Sequence, residues 1–148
     1  MDDESIFRKN QDDLIRYATV LVGPTRAEDV VSTVVVLRIL ARKRLQDLDE
    51  PRAYLFRAVL NECKTRLSRR RTHLSIGEAG MVPADDPEPD ILQAVLELPP
   101  QQRAATYLVY WAGMTVVETA DLMGIRPGTV KRYLYLARRK LKGVLDEH

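Results

Sequence analysis

The residues best equipped for chemistry in this chain are basic, hydroxyl and aromatic side chains that recur near its C-terminus. Thr129, Lys131, Arg132 and Tyr135 stand on the first turns of a segment starting near Pro127, and Arg138 and Arg139 follow. Between Arg126 and Lys142 there are seven Lys or Arg residues and no Asp or Glu. Such a segment concentrates positive potential, for which a phosphate backbone is the natural partner. The competing reading is a solvated basic helix that closes a small bundle.

The elements around these residues are the two halves of a helix-turn-helix. Thr115 followed by Glu118 forms a capping box, in which hydroxyl and carboxylate each satisfy an orphan backbone N–H. Val116, Val117, Ala120 and Met123 supply the apolar face expected of one short helix. Gly124 suits the left-handed residue just past its end, and Ile125 plugs the turn. Pro127 has the fixed φ of a first helical position, and Val130, Leu134, Ala137 and Leu141 recur at helical spacing. Base-reading side chains of helix-turn-helix proteins sit on the first turns of the second helix, where Thr129, Lys131, Arg132 and Tyr135 fall.

A second basic block lies upstream. Arg52 to His73 carries seven Lys or Arg against the single acid Glu62, whereas Leu74 to Gln102 carries six acids and no Lys or Arg. The formal net charge of +2 hides this separation. Two basic blocks divided by an acidic one predict two nucleic-acid contacts on one polypeptide.

No paired-carboxylate motif, nucleophile elbow, glycine-rich phosphate loop or metal-ligand spacing is present, so the chain is not expected to be an enzyme or to hold a cofactor or metal. Asp85, Asp86, Glu88 and Asp90 fall in a Pro-rich stretch, where acids keep a linker solvated. Cys63 is the only cysteine and has the position of a packed thiol inside a helix. With neither a signal peptide nor an apolar run long enough for a membrane span, a cytoplasmic location is expected.

At 148 residues the chain fits one ordinary domain or two small ones. Abundant Leu, Val, Ala, Arg and Glu predict an all-α protein. A first amphipathic helix spans Ser5 to Val22 and is ended by Gly23-Pro24. Thr25, with Glu28 three residues on, is expected to cap a buried helix running through Val30, Val31, Val34, Val35 and Leu37 to about Arg44, although Val34-Val35-Val36 alone resembles a strand. Pro51 restarts the chain as a long helix. Tyr54, Leu55, Ala58, Val59, Cys63 and Leu67 form its apolar side; Arg57, Lys64, Arg66, Arg69, Arg70 and Arg71 form its exposed face and tail. Tyr54 and Leu55 are assigned to the core, and Phe56 stays open between core and stacking platform. The predicted organisation is a helical bundle over residues 1–73, an acidic Pro-rich linker over 74–90 and a helix-turn-helix domain over 91–148.

Four stretches carry a resemblance to a known family: Pro51-Arg-Ala-Tyr-Leu-Phe-Arg-Ala-Val-Leu-Asn61, the arginine-rich Arg66 to Arg71, Leu98-Pro-Pro-Gln-Gln-Arg103, and Gly124-Ile-Arg-Pro-Gly-Thr-Val-Lys131. In order and separation the chain resembles an alternative RNA polymerase sigma factor of the extracytoplasmic-function type. The resemblance implies a region 2 domain that docks on the β′ clamp helices of core RNA polymerase and melts the minus-10 element. It implies a region 4 domain that binds the β flap and reads the minus-35 duplex. By the same resemblance, Asp29, Ser32 and Thr33 are polymerase-docking candidates, and Arg57, Asn61, Lys64, Arg66, Arg69 and Arg70 would meet the opened strand. Thr129, Lys131, Arg132, Tyr135, Arg138 and Arg139 would read the minus-35 element. Promoter DNA and core polymerase are the implied partners, with an anti-sigma protein as a further one.

The 17 residues from Leu74 to Asp90 reach at most about 60 Å when extended, more than the roughly 34–36 Å of one duplex turn. Departures from the family pattern include Asp29-Val-Val-Ser32-Thr33 on the docking helix, Thr65 where an acid is common, and Arg126 where a capping serine is common. Two other functions compete: a dimeric helix-turn-helix regulator that needs no polymerase, and a sigma-like interaction protein that does not initiate.

Overall fold

The computed structural model describes residues 2–41, 44–73 and 94–146, and among them every regular element is helical. Two compact units divide the chain, Met1–Ser75 and Ile76–His148. The expected linker over 74–90 lies outside the described residues.

In the first unit, α1 (Asp3–Val22) starts at Asp2, whose carboxylate accepts from the Ser5 N–H at 2.9 Å. That bond holds the Asp2 carboxyl below its usual range. Asp3 and Glu4 then place negative charge at the positive end of the helix dipole. Gly23, at φ +91°, ends the helix and donates its N–H to the Thr19 carbonyl. Here the structure corrects the expected cap: α2 (Pro24–Ala41) already begins at Pro24, leaving Thr25 inside its first turn. The fixed φ of proline suits that first position, and the Gly23 carbonyl accepts from the Arg26 N–H, so no hydroxyl cap is needed. The Val34-Val35-Val36 run is helical.

A short 3-10 turn (Leu45–Asp47) buries Leu45 and is tied to α1 by the Gln46 N–H donating to Asp3 at 3.1 Å. Then α3 (Pro51–His73) packs against both α1 and α2. Its buried side holds Leu55, Phe56, Val59, Leu60 and Cys63, facing Leu14, Tyr17, Ala18 and Leu21 of α1 and Ala27, Val30, Val31 and Val34 of α2. Phe56 is thereby placed in the core: it is fully buried, its ring centroid lies 5.2 Å from that of Tyr17, and the Arg52 guanidinium covers it at 4.7 Å. No base could stack there. Tyr54 is half-buried instead, with the Arg38 guanidinium 4.4 Å from its ring.

The second unit contains α4 (Pro100–Tyr110), α5 (Val116–Met123) and α6 (Pro127–Asp146). Ala104, Ala105 and Leu108 of α4, Ala120, Leu122 and Met123 of α5, and Val130, Leu134, Ala137 and Leu141 of α6 form its core. Val117 departs from the expected apolar face and is 67% exposed. Residues 119, 120, 122 and 123 line the buried side, and Val117 lies roughly 100° around the helix from Val116.

Candidate nucleic-acid interface

The second unit presents its basic helix through two local devices. At the start of α5, the Glu118 N–H donates to the Thr115 hydroxyl and the Thr115 N–H donates to the Glu118 carboxylate, both at 3.0 Å. These bonds hold the Glu118 carboxyl below its usual range. At its end, Gly124 adopts φ +70°, ψ +33°, and the Ile125 N–H reaches back to the Ala120 carbonyl while that of Gly124 reaches Asp121. This is the Schellman arrangement, which satisfies orphan carbonyls and reverses the chain within two residues. The recognition helix α6 follows at Pro127.

Val130, Leu134, Ala137 and Leu141 pin one side of α6, so Lys131, Arg132, Tyr135 and Arg139 project from the other, all exposed. Tyr135 and Arg139, one turn apart, stack with the guanidinium 5.9 Å from the ring centroid. Thr129 is half-buried on the first turn. Arg138 stands toward α4 and donates to the Tyr110 hydroxyl at 3.0 Å. Tyr133 and Lys140 tie the same helix to Gln101 and to the Glu97 carbonyl. Chemically, this is a rigid rod offering guanidinium forks and hydroxyls to groove edges and phosphates.

In the first unit the sequence-predicted residues separate onto two surfaces. Arg57, Asn61 and Lys64 are exposed and share one stripe of α3; Arg69 is exposed further along, and the Arg70 side chain lies outside the described residues. Arg66 lies roughly half a turn from Arg57 around the helix. Contrary to its expected exposed place, its side chain is 22% exposed and turned to α2. There Nη1 donates to Asp29 at 2.6 Å, Nη2 to the Thr33 hydroxyl at 2.9 Å, and Nε to Glu62 of its own helix at 3.0 Å. Partial burial disfavours its charge, but the bonds to Asp29 and Glu62 prevail and hold its pKa above the ordinary value.

Asp29, Ser32 and Thr33 follow helical spacing on one face of α2, and continuing that spacing reaches Val36 and Leu37, which are 54% and 52% exposed. The apolar pattern assigns Leu37 to the interior, and the structure turns it outward with Val36. The signal was present in their separation of seven and eight residues from Asp29. The α2 helix therefore has two apolar sides, one packed and one outward, with the outward one continuing a polar stripe.

Among the described residues no group of His, Cys, Asp or Glu is placed to hold a metal, and no helix is long and apolar enough to cross a membrane.

Residues 6–73 match the sigma-70 region 2 family, and residues 89–141 match sigma-70 region 4. The RNA polymerase sigma-E factor of Streptomyces avermitilis is 32% identical over 157 residues, a match covering 97% of this chain and 84% of that protein. The ECF RNA polymerase sigma factor SigM of Mycobacterium tuberculosis is 31% identical over 99 residues; this match covers 63% of the chain but only 50% of SigM, so it spans half the length of that relative. The fold is also that of the sigma factor RpoE from Bartonella quintana, crystallised with the anti-sigma factor NepR, at a TM-score of 0.81 with 21% identity over 97% of this chain and 96% of that one.

Proposed function

The chain belongs to the sigma-70 family, in its extracytoplasmic-function branch, and from that premise we propose that it directs core RNA polymerase to specific promoters and initiates transcription there. The observation that carries this reading is the exposed face of α6. Lys131, Arg132, Tyr135 and Arg139 stand on a helix that starts at Pro127, directly after the Schellman turn that ends the box-capped α5, which fixes the direction in which they are presented. This face reads the minus-35 element as duplex, with Thr129 and Arg138 at its margins, while region 4 engages the β flap.

The first unit does the complementary work. Opening the minus-10 element costs base stacking, which cationic backbone contacts and polar groups around splayed bases offset. Arg57, Asn61, Lys64, Arg69 and Arg70 meet that strand. The stripe Asp29, Ser32, Thr33, Val36 and Leu37 docks on the β′ clamp helices, its carboxylate supplying register and its apolar end supplying buried area. The linker over 74–90 allows the two units to touch elements more than one duplex turn apart. The protein acts in the cytoplasm, without catalytic groups of its own, and an anti-sigma protein is a further partner, as NepR is for the Bartonella protein.

Footprinting of holoenzyme reconstituted with this chain tests the division of labour. Protection at minus-35 together with permanganate-reactive thymines at minus-10 is expected. Protection of a palindrome by the chain alone, with no requirement for polymerase, would replace the reading with that of an independent regulator.

A further inference from the structure

Arg66 engages through all three guanidinium nitrogens, and two of its three partners are the residues Asp29 and Thr33 of the stripe assigned to polymerase docking. We propose that Arg66 is a positioning residue for that docking face, fixing the Asp29 carboxylate and the Thr33 hydroxyl from the neighbouring helix so that polymerase affinity depends on a side chain that does not itself touch polymerase. The inference rests on the reading of α2 as the docking helix.

The geometry supports this role over that of a phosphate contact. Asp29 is 72% exposed, so its own helix leaves the carboxylate free to sample rotamers, and the 2.6 Å bond selects one of them. Holding an exposed acid in a single orientation removes an ordering cost that binding would otherwise incur. Nη2 holds the Thr33 hydroxyl one helical turn further on, so a single planar group sets the spacing of two docking atoms. Glu62, through Nε, sets the plane of the fork from α3. Lysine cannot replace this arrangement, because a point charge cannot reach three acceptors in a fixed plane. Arg57, Asn61 and Lys64 lie roughly half a turn away around α3, so Arg66 does not share the exposed stripe that those three residues form.

The test is binding of the full-length chain to sigma-free core polymerase in the absence of DNA, with the melting midpoint of each variant measured alongside. Asp29→Asn and Arg66→Gln are each expected to weaken binding about tenfold, and the double variant to bind no more weakly than the weaker single one, the non-additivity of two residues acting through one contact. Arg66→Lys should fall between wild type and Arg66→Gln. If Asp29→Asn weakens binding while Arg66→Gln matches wild type, the positioning role is overturned and the docking helix stands. Wild-type binding by Asp29→Asn would overturn the docking role of Asp29 and the inference together. Additive losses in the double variant would also overturn it, since Arg66 would then act independently of Asp29. Should Arg66→Gln fail to fold, Arg66→Lys carries the test, and wild-type affinity for that variant overturns the proposal.

Discussion

The guanidinium of Arg66 donates to the carboxylate of Asp29 at 2.6 Å, joining two residues 37 positions apart to which the family resemblance assigns different tasks. On the proposed reading, a cation so engaged is spent on the docking face and not on phosphate. On preassembled holoenzyme, Arg66→Gln is therefore expected to leave the slope of log K against log salt for promoter binding unchanged. Lys64→Gln, on the exposed stripe, should lower that slope by about 0.7–0.9. Salt titration of a labelled promoter fragment measures both.

The capping box predicts a change confined to the second unit. Thr115→Ala is expected to destabilise it by about 1 kcal/mol, read from chemical denaturation. The acid limb carries a separate signature. Because the Thr115 backbone bond depresses the folded pKa of Glu118, its contribution is complete above the unfolded pKa and is lost as pH falls through the folded one. Melts recorded below the usual glutamate pKa of about 4.3 should thus show a decline that Glu118→Gln flattens.

Gly124→Ala isolates a backbone cost. A Cβ there meets nothing within 4 Å, yet φ is +70°, so the expected loss of about 1–2 kcal/mol reflects the left-handed conformation alone. Minus-35 duplex affinity should fall with the stability of the unit and recover where the helices are intact.

Phe56→Ala should cost about 3–5 kcal/mol in the first unit, because a fully buried ring packed on Tyr17 is removed. Thermal denaturation checks this directly. Normal stability with impaired strand opening would instead make Phe56 a base-stacking residue.

Arg132→Ala is expected to cost about 1–3 kcal/mol at particular base pairs of the minus-35 element and little elsewhere. Competition among duplexes differing at single positions reads this out, and equal losses on all of them would remove Arg132 from base readout.

What the sequence made legible was what neighbouring residues determine. The capping box at Thr115 and Glu118, the turn at Gly124, the start at Pro127 and the spacing of Val130, Leu134, Ala137 and Leu141 each depend on residues within a few positions, and all appear as expected. The start of α2 was misplaced because Gly23 and Pro24 together open a helix that a downstream hydroxyl also had the chemistry to cap. Phe56 is ambiguous from the sequence because its burial is set by Tyr17 on another helix. The engagement of Arg66 is equally non-local. Its composition placed it in a basic block, and only the packing of α3 on α2 brings it to Asp29. The outward side of α2 is hidden in the sequence by its own apolarity, since Leu37 reads as part of the buried helix although it and Val36 are exposed.

The most direct measurement is run-off transcription by sigma-free core polymerase on a pool of genomic fragments, with and without this chain. Discrete start sites appearing only in its presence, and lost when Arg132 and Arg139 are both changed to Ala, are the predicted result. Stable polymerase binding without any starts, or tight duplex binding without polymerase, would contradict the account.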